Sequence, residues 1–121
     1  MSRRRASARG WWTRAGGATA LLLAAAVACG RGDNARAAPA RHEVVIRGFA
    51  FAPPSLAIAA GDTVVWSNQD IVPHTATAED GRWNSDTLAA GASWRRVFAE
   101  AGAHPYRCRL HPVMKASVDV Q

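Results

Sequence analysis

Cysteine is scarce in this sequence, with Cys29 and Cys108 the only two in 121 residues. No Cys-x-x-Cys-His run exists, so covalent haem attachment is excluded. Acidic side chains are also few, nine against 15 Lys and Arg, and almost absent from the first forty positions, where Asp33 alone faces seven arginines. That imbalance accounts for the whole formal charge of +6 and leaves the rest of the chain neutral, eight basic residues against eight acidic. A nucleic-acid binder needs its excess of positive charge on the folded body, so this class is disfavoured despite a pI near 11.0. The longest apolar run, Ala15 to Ala28, has fourteen positions, too few to span a bilayer. No Ser, His and Asp constellation, phosphate-binding loop or paired-carboxylate motif stands out. The 81 residues beyond position 40 make one small domain, which excludes a large enzyme or a multidomain machine.

The amino-terminal pattern is that of an export signal over residues 1–28: Arg3 to Arg14 supply the positive region and Ala15 to Ala28 the short apolar core. The run ends in Ala26-Val27-Ala28-Cys29-Gly30, which resembles a bacterial lipoprotein signal with Cys29 as the lipid-bearing first residue of the mature chain. Ordinary cleavage after Ala28, or near Ala35-Arg36-Ala37, is the alternative. Either way the protein is expected outside the cytoplasm, in the periplasm or on the outer face of the cytoplasmic membrane. Residues 29–40 are mostly Gly, Ala, Arg and Pro with little to bury and read as a flexible tether.

From residue 41 to 121 the periodicity is that of strands. His42 to Arg47 partly alternates, and Phe49 and Phe51 continue it until Pro53-Pro54. Leu56 to Ile58 is a second short strand. After the Gly61-Asp62 turn, Thr63 to Asn68 places Val64 and Trp66 on one face and Thr63, Val65 and Ser67 on the other. Further strands are predicted at His74 to Ala78, Ser93 to Phe98, Ala103 to Cys108 and Met114 to Val120. Short strands at close spacing, with no useful helix between them, point to an all-β antiparallel sandwich or barrel.

The chemistry lies in Cys108-Arg109-Leu110-His111-Pro112-Val113-Met114, which spaces a thiol, an imidazole and a thioether three residues apart. A loop stiffened by Pro112 can turn all three onto one point. Thiolate and thioether suit Cu(I), while imidazole also suits Cu(II). Val72-Pro73-His74-Thr75 offers a second imidazole, and two His, one Cys and a distant Met are the ligand set of blue-copper sites. Taken singly, each residue has a plainer role. Met114 can be core filler, either His a surface or structural residue, and Cys108 an inert thiol or the partner of Cys29 in a disulfide. An unpaired Cys in an exported domain is nevertheless unusual. Closed structural zinc sites do not use a thioether.

The stretch Gly61-Asp62-Thr63-Val64-Val65-Trp66-Ser67-Asn68-Gln69-Asp70, followed by Pro73-His74-Thr75, Phe98, Gly102, Tyr106-Arg107-Cys108, His111-Pro112 and Met114, resembles the plastocyanin and amicyanin branch of the cupredoxins. The resemblance runs from about Val44 to Val120, and the short Cys-x-x-His-x-x-Met loop is most similar to amicyanin. It implies a Greek-key β-sandwich of about eight strands holding one copper ion, with His74, Cys108 and His111 as equatorial ligands and Met114 as the axial one. It also implies that Thr75, Leu110 and Asn68 surround the ligands, with the Thr75 amide donating to the Cys108 sulfur. Leu110 stands where the family has Pro, so a second amide is expected near that sulfur. Ala116 replaces a common Gly. His104 and Arg96 fall at inward positions that the family fills with aromatic or apolar residues. His104 is expected as a hydrogen-bonded interior side chain or the mark of a register shift, and Arg96 as a buried stem with its charge lifted to solvent. Trp66, Trp94, Phe98 and Tyr106 are expected in the core.

A centre filled by four protein ligands leaves no open position for a substrate, which disfavours catalysis. The function that remains is one-electron relay between redox proteins such as a c-type cytochrome, an oxidase, a reductase or a dehydrogenase, by a monomer whose membrane contact is a lipid at most. In the family the loop His, here His111, is the electron port, and Leu110, Pro112, Val113, Ile71 and Pro73 would supply an apolar docking patch around it. The alternative is a copper carrier that hands over the metal itself, and a third reading is an adhesion sandwich without metal.

Overall fold

The computed structural model describes residues 37–121. The signal over 1–28, Cys29 and the tether up to residue 36 lie outside the described residues. Eight strands follow in order: β1 (Arg41–Arg47), β2 (Ala50–Ala52), β3 (Ser55–Ile58), β4 (Asp62–Asn68), β5 (Thr77–Ala78), β6 (Ser93–Phe98), β7 (Gly102–Arg107) and β8 (Lys115–Val120). They form two four-stranded sheets, ordered β2-β1-β4-β6 and β3-β8-β7-β5. The all-β sandwich expected from the turn spacing is therefore the fold.

Three details differ from the sequence reading. The sheets are mixed, not antiparallel, because β1 pairs parallel to β4 and β3 parallel to β8. Chain crossings cause this: β3 leaves the first sheet for the second, and β4 returns beside β1 in the same direction. The run through Phe49 and Phe51 is broken by a two-residue hairpin turn at Gly48-Phe49, with Arg47 opposite Ala50. Phe51 is buried, whereas Phe49 is 52% exposed. The strand expected over His74 to Ala78 shrinks to β5, and His74 makes an isolated bridge to Leu88 instead.

The core fills the space between the sheets. Val44, Ile46, Val64, Trp66 and Phe98 come from one, and Ala78, Tyr106, Val118 and Val120 from the other. Trp66 is the centre of an aromatic cluster, with ring centroids 5.5 Å from Trp83, 5.3 Å from Trp94 and 5.5 Å from Tyr106. Trp83, in a loop with no strand pattern around it, is a core residue that the periodicity does not reveal. Val65 is buried as well, on the face of β4 opposite Trp66. Arg96 lies over the rings of Trp83 and Phe98, at 5.7 and 5.5 Å, so its charge rests on aromatic faces and is not carried clear into solvent. Partly buried His104 joins Nε2 to the Glu100 carbonyl at 2.8 Å and stands edge-on to Phe98. Ala116, opposite Tyr106, packs against the core.

At the start of β4, buried Asp62 fastens the end of the chain that enters the domain. Its carboxylate accepts the Ala40 amide at 2.8 Å and the Ala59 amide at 3.1 Å, and pairs with His42 Nε2 at 2.8 Å. The Ala40 amide first, then His42 and the Ala59 amide, hold its pKa below the ordinary 3.8. A lowered folded value means that the stabilisation is present above the unfolded pKa and is lost as pH falls through the folded one. Asp62→Asn is therefore expected to lower the melting temperature near pH 7. The gap to wild type should begin to narrow as pH falls below the ordinary 3.8 and close as it passes the lowered folded value, where wild-type Asp62 loses its charge. Thermal melts across that range check it, and a gap that widens in acid would contradict it.

Candidate metal centre

One end of the sandwich collects the loops that leave β4 and β7 and the turn between β1 and β2. Asn68, the last residue of β4, organises the first loop. Its buried side-chain amide donates to the carbonyls of Val72 and Leu88, both at 2.9 Å, and its oxygen accepts the Asp70 amide at 3.0 Å. The His74 amide donates to the Leu88 carbonyl at 3.1 Å, and the Leu88 amide returns a bond at 2.7 Å. His74 is thus fixed from both sides and fully buried. The second loop closes on itself, since the Cys108 amide donates to the Met114 carbonyl at 3.1 Å and the Met114 amide to the His111 carbonyl at 2.9 Å. This brings Cys108 and Met114 into the core and leaves His111 half-buried between them and solvent.

The two loops meet at the thiol. Cys108 Sγ lies 3.8 Å from His74 Nδ1 and 3.7 Å from His111 Nδ1, and the donor atoms of the three residues all fall within 4.8 Å of one another. With bonds of about 2.0 Å to imidazole and about 2.3 Å to thiolate, the lengths zinc shows, and ligands ~120° apart, nitrogen and sulfur sit roughly 3.7 Å from each other. The cluster therefore has the dimensions of a trigonal metal site. Met114, 3% exposed, belongs to the core cluster that also holds Cys108. A soft thiol and thioether beside two imidazoles is the donor chemistry of copper.

The surroundings of the sulfur match the sequence reading in one respect and differ in another. The Thr75 amide donates to Cys108 Sγ at 3.3 Å. Among the described residues it is the one backbone amide on that sulfur, so the second amide expected from Leu110 is not there. Leu110 is instead 49% exposed. The turn after Cys108 is held from elsewhere, by the Arg109 amide donating to Thr75 Oγ1 at 2.8 Å. Thr75 Oγ1 continues to Thr77 Oγ1 at 3.0 Å, and that hydroxyl donates to Asn84 Oδ1 at 2.8 Å.

The chain is 31% identical over 108 residues to amicyanin-alpha of Methylorubrum extorquens, covering 84% of this chain and 91% of that protein. The chain is a cupredoxin of the amicyanin and plastocyanin branch. Amicyanin of Paracoccus versutus is 30% identical over 89 residues, 69% of this cupredoxin and 67% of that protein. A purple cupredoxin from Nitrosopumilus maritimus superposes with a TM-score of 0.61 at 30% identity, covering 66% of this cupredoxin and 99% of that chain. No protein-family model matches the sequence. Copper is the cofactor of this cupredoxin, in agreement with the donor set.

Two residues near the cluster are not among the site residues expected from the sequence. The Phe49 ring stands edge-on to His74 at 5.5 Å and to His111 at 5.0 Å. Asp70 Oδ2 lies 2.8 Å from His74 Nε2. The amides of Phe49 and then Gly48, followed by His74, hold the Asp70 carboxyl below the usual carboxylate range. His111 is half-buried, and the Phe49 ring stands against it. Ile71 and Val113 are 94% and 90% exposed, and Pro73, Pro112 and Leu110 are exposed as well.

Proposed function

We propose that this cupredoxin is a type 1 copper electron carrier of the cell envelope, not an enzyme, in which His74, Cys108, His111 and Met114 would hold the copper. The observation that carries the reading is the convergence of two imidazole Nδ1 atoms on one buried thiol, at 3.8 and 3.7 Å. Copper bound there supplies a Cu(II)/Cu(I) couple, the means of holding and releasing one electron. The chain's own residues do the rest. Asn68 and the Leu88 backbone keep His74 in place, so little reorganisation accompanies a change of charge at the centre. The Thr75 amide stabilises negative charge on the Cys108 sulfur. Cys108 and His74 are shut off from water. His111, the least buried of the three, provides the edge through which an electron reaches a partner. The exposed apolar residues Ile71, Leu110 and Val113 suit a redox protein that docks briefly and leaves. The export pattern over residues 1–28 supports a location outside the cytoplasm, and Cys29 is the residue that would carry a lipid anchor.

Cycling between oxidised and reduced copper in the presence of a Cu(I) chelator tests this. The expected result is that the visible absorption returns in full after each cycle, with the metal retained. Loss of copper to the chelator on the time scale of reduction would make the protein a carrier of the metal itself. Failure to take up one equivalent would sink both readings.

A further inference from the structure

The β1–β2 turn is strained where it meets the metal centre. A two-residue hairpin loop with positive φ at both positions favours Gly, Asn or Asp. Here the residues are Gly48 at φ 59° and Phe49 at φ 56°. A bulky side chain in the left-handed region costs on the order of 1–3 kcal/mol and persists only where its surroundings impose it. Burial of the ring is not the cause, because Phe49 is 52% exposed. What holds the turn is one carboxylate more than twenty residues away. Asp70 Oδ1 accepts the Gly48 amide at 2.7 Å, and Oδ2 accepts the Phe49 amide at 3.0 Å. The same Oδ2 pairs with His74 Nε2 at 2.8 Å.

We propose that Asp70 is a positioning residue that joins the buried ligand His74 to the exposed ring of Phe49, setting the one for metal and the other for docking. Two consequences follow from the geometry, and both rest on the copper reading above. An acceptor on Nε2 requires the proton there, which leaves Nδ1 bare and facing Cys108. A carboxylate in that role makes the imidazole more basic and so favours the more highly charged metal ion. On the solvent side, the same anchor presses Phe49 edge-on to His74 and His111, adding an aromatic contact to the face around the electron port.

Asp70→Asn separates this role from general support of the fold. Asparagine offers one acceptor oxygen to three donors and turns an NH2 group toward the turn amides. In the metal-free protein, nitrogen-resolved NMR is expected to show the Gly48 and Phe49 amides shifted, with solvent exchange at least tenfold faster, and the His74 Nε2 proton lost from view. This arm does not need copper, so it decides the Asp70 link even if the copper reading fails. In copper-loaded protein the ratio of Cu(II) to Cu(I) affinity should fall about tenfold, which is ~59 mV for a one-electron couple. Phe49→Gly removes the ring and relieves the strain, so it should fold at least as well as wild type. Electron self-exchange between two copies of the protein, read from NMR line widths, should slow about tenfold. Unmoved Gly48, Phe49 and His74 signals in Asp70→Asn, an unchanged affinity ratio there, or wild-type self-exchange in Phe49→Gly would each overturn the proposal.

Discussion

Cys108→Ser is expected to abolish the intense visible absorption of the copper-loaded protein and to weaken Cu(I) binding by well over 100-fold. The thiol is the atom on which the cluster is centred, since both imidazole Nδ1 atoms face it and the Thr75 amide donates to it. Loss of an outer hydrogen-bond partner of a metal ligand costs about 10–100-fold in affinity, and the ligand itself must cost more. Serine keeps the shape but offers a hard oxygen that is a poor partner for Cu(I). The buried site should still admit the hydroxyl, so the melting temperature of the metal-free variant is expected within a few degrees of wild type. Absorption and paramagnetic resonance spectra read the first effect and thermal melts the second. A variant that stays intensely coloured would remove Cys108 from the centre.

Trp66→Ala carries the largest expected cost in stability, about 3–5 kcal/mol. The side chain is fully buried, and its ring is shared among Trp83, Trp94, Phe98 and Tyr106. Each aromatic pair adds about 0.5–1.5 kcal/mol beyond the area buried. A domain of this size has only about 5–15 kcal/mol in total. The metal-free variant should therefore unfold at a much lower urea concentration or fail to fold. Copper binds the folded form more tightly than the unfolded chain and so adds up to RT ln(1 + [L]/Kd), about 4 kcal/mol at a thousandfold excess over Kd, less whatever it gains from the unfolded segment from Cys108 to Met114, and should restore part of the loss. Val97→Ala on the outer face of β6, where the side chain is 57% exposed, is the contrast and should stay within about 0.5 kcal/mol of wild type. Equal midpoints for the two variants would mean that the aromatic cluster does not hold the sheets together.

What is legible in the sequence is contiguous. Cys108, His111 and Met114 sit within seven residues, and the turn that gathers them is written in their spacing and in Pro112. Most strands were found for the same reason, each flanked by Gly, Pro or Asp. What escaped depends on contacts between distant segments. Nothing near Asp70 announces that its carboxylate will reach the Gly48 and Phe49 amides, so Phe49 reads as one more alternating strand residue when it is the tip of a hairpin. The parallel pairing of β1 with β4 is likewise set by the crossing of β3 to the other sheet. Trp83 has no periodic neighbours and enters the core from the loop between β5 and β6, where its ring meets Trp66, Trp94 and Phe98. The Leu110 amide failed as an inference because a missing Pro supplies a donor but says nothing about its direction.

The clasp at Asp62 lies at the opposite extremity of β4 from Asn68, roughly 20 Å away at ~3.3 Å per residue. Ala40, the last residue before β1, is bound there by its amide to the Asp62 carboxylate and by its carbonyl to the Thr63 amide at 2.9 Å. The polypeptide accordingly enters the described domain at the end of β4 opposite the one that leads into the metal centre. Whatever is joined to the chain ahead of Ala40 would meet the domain at the end of β4 away from Asn68 and the cluster around Cys108.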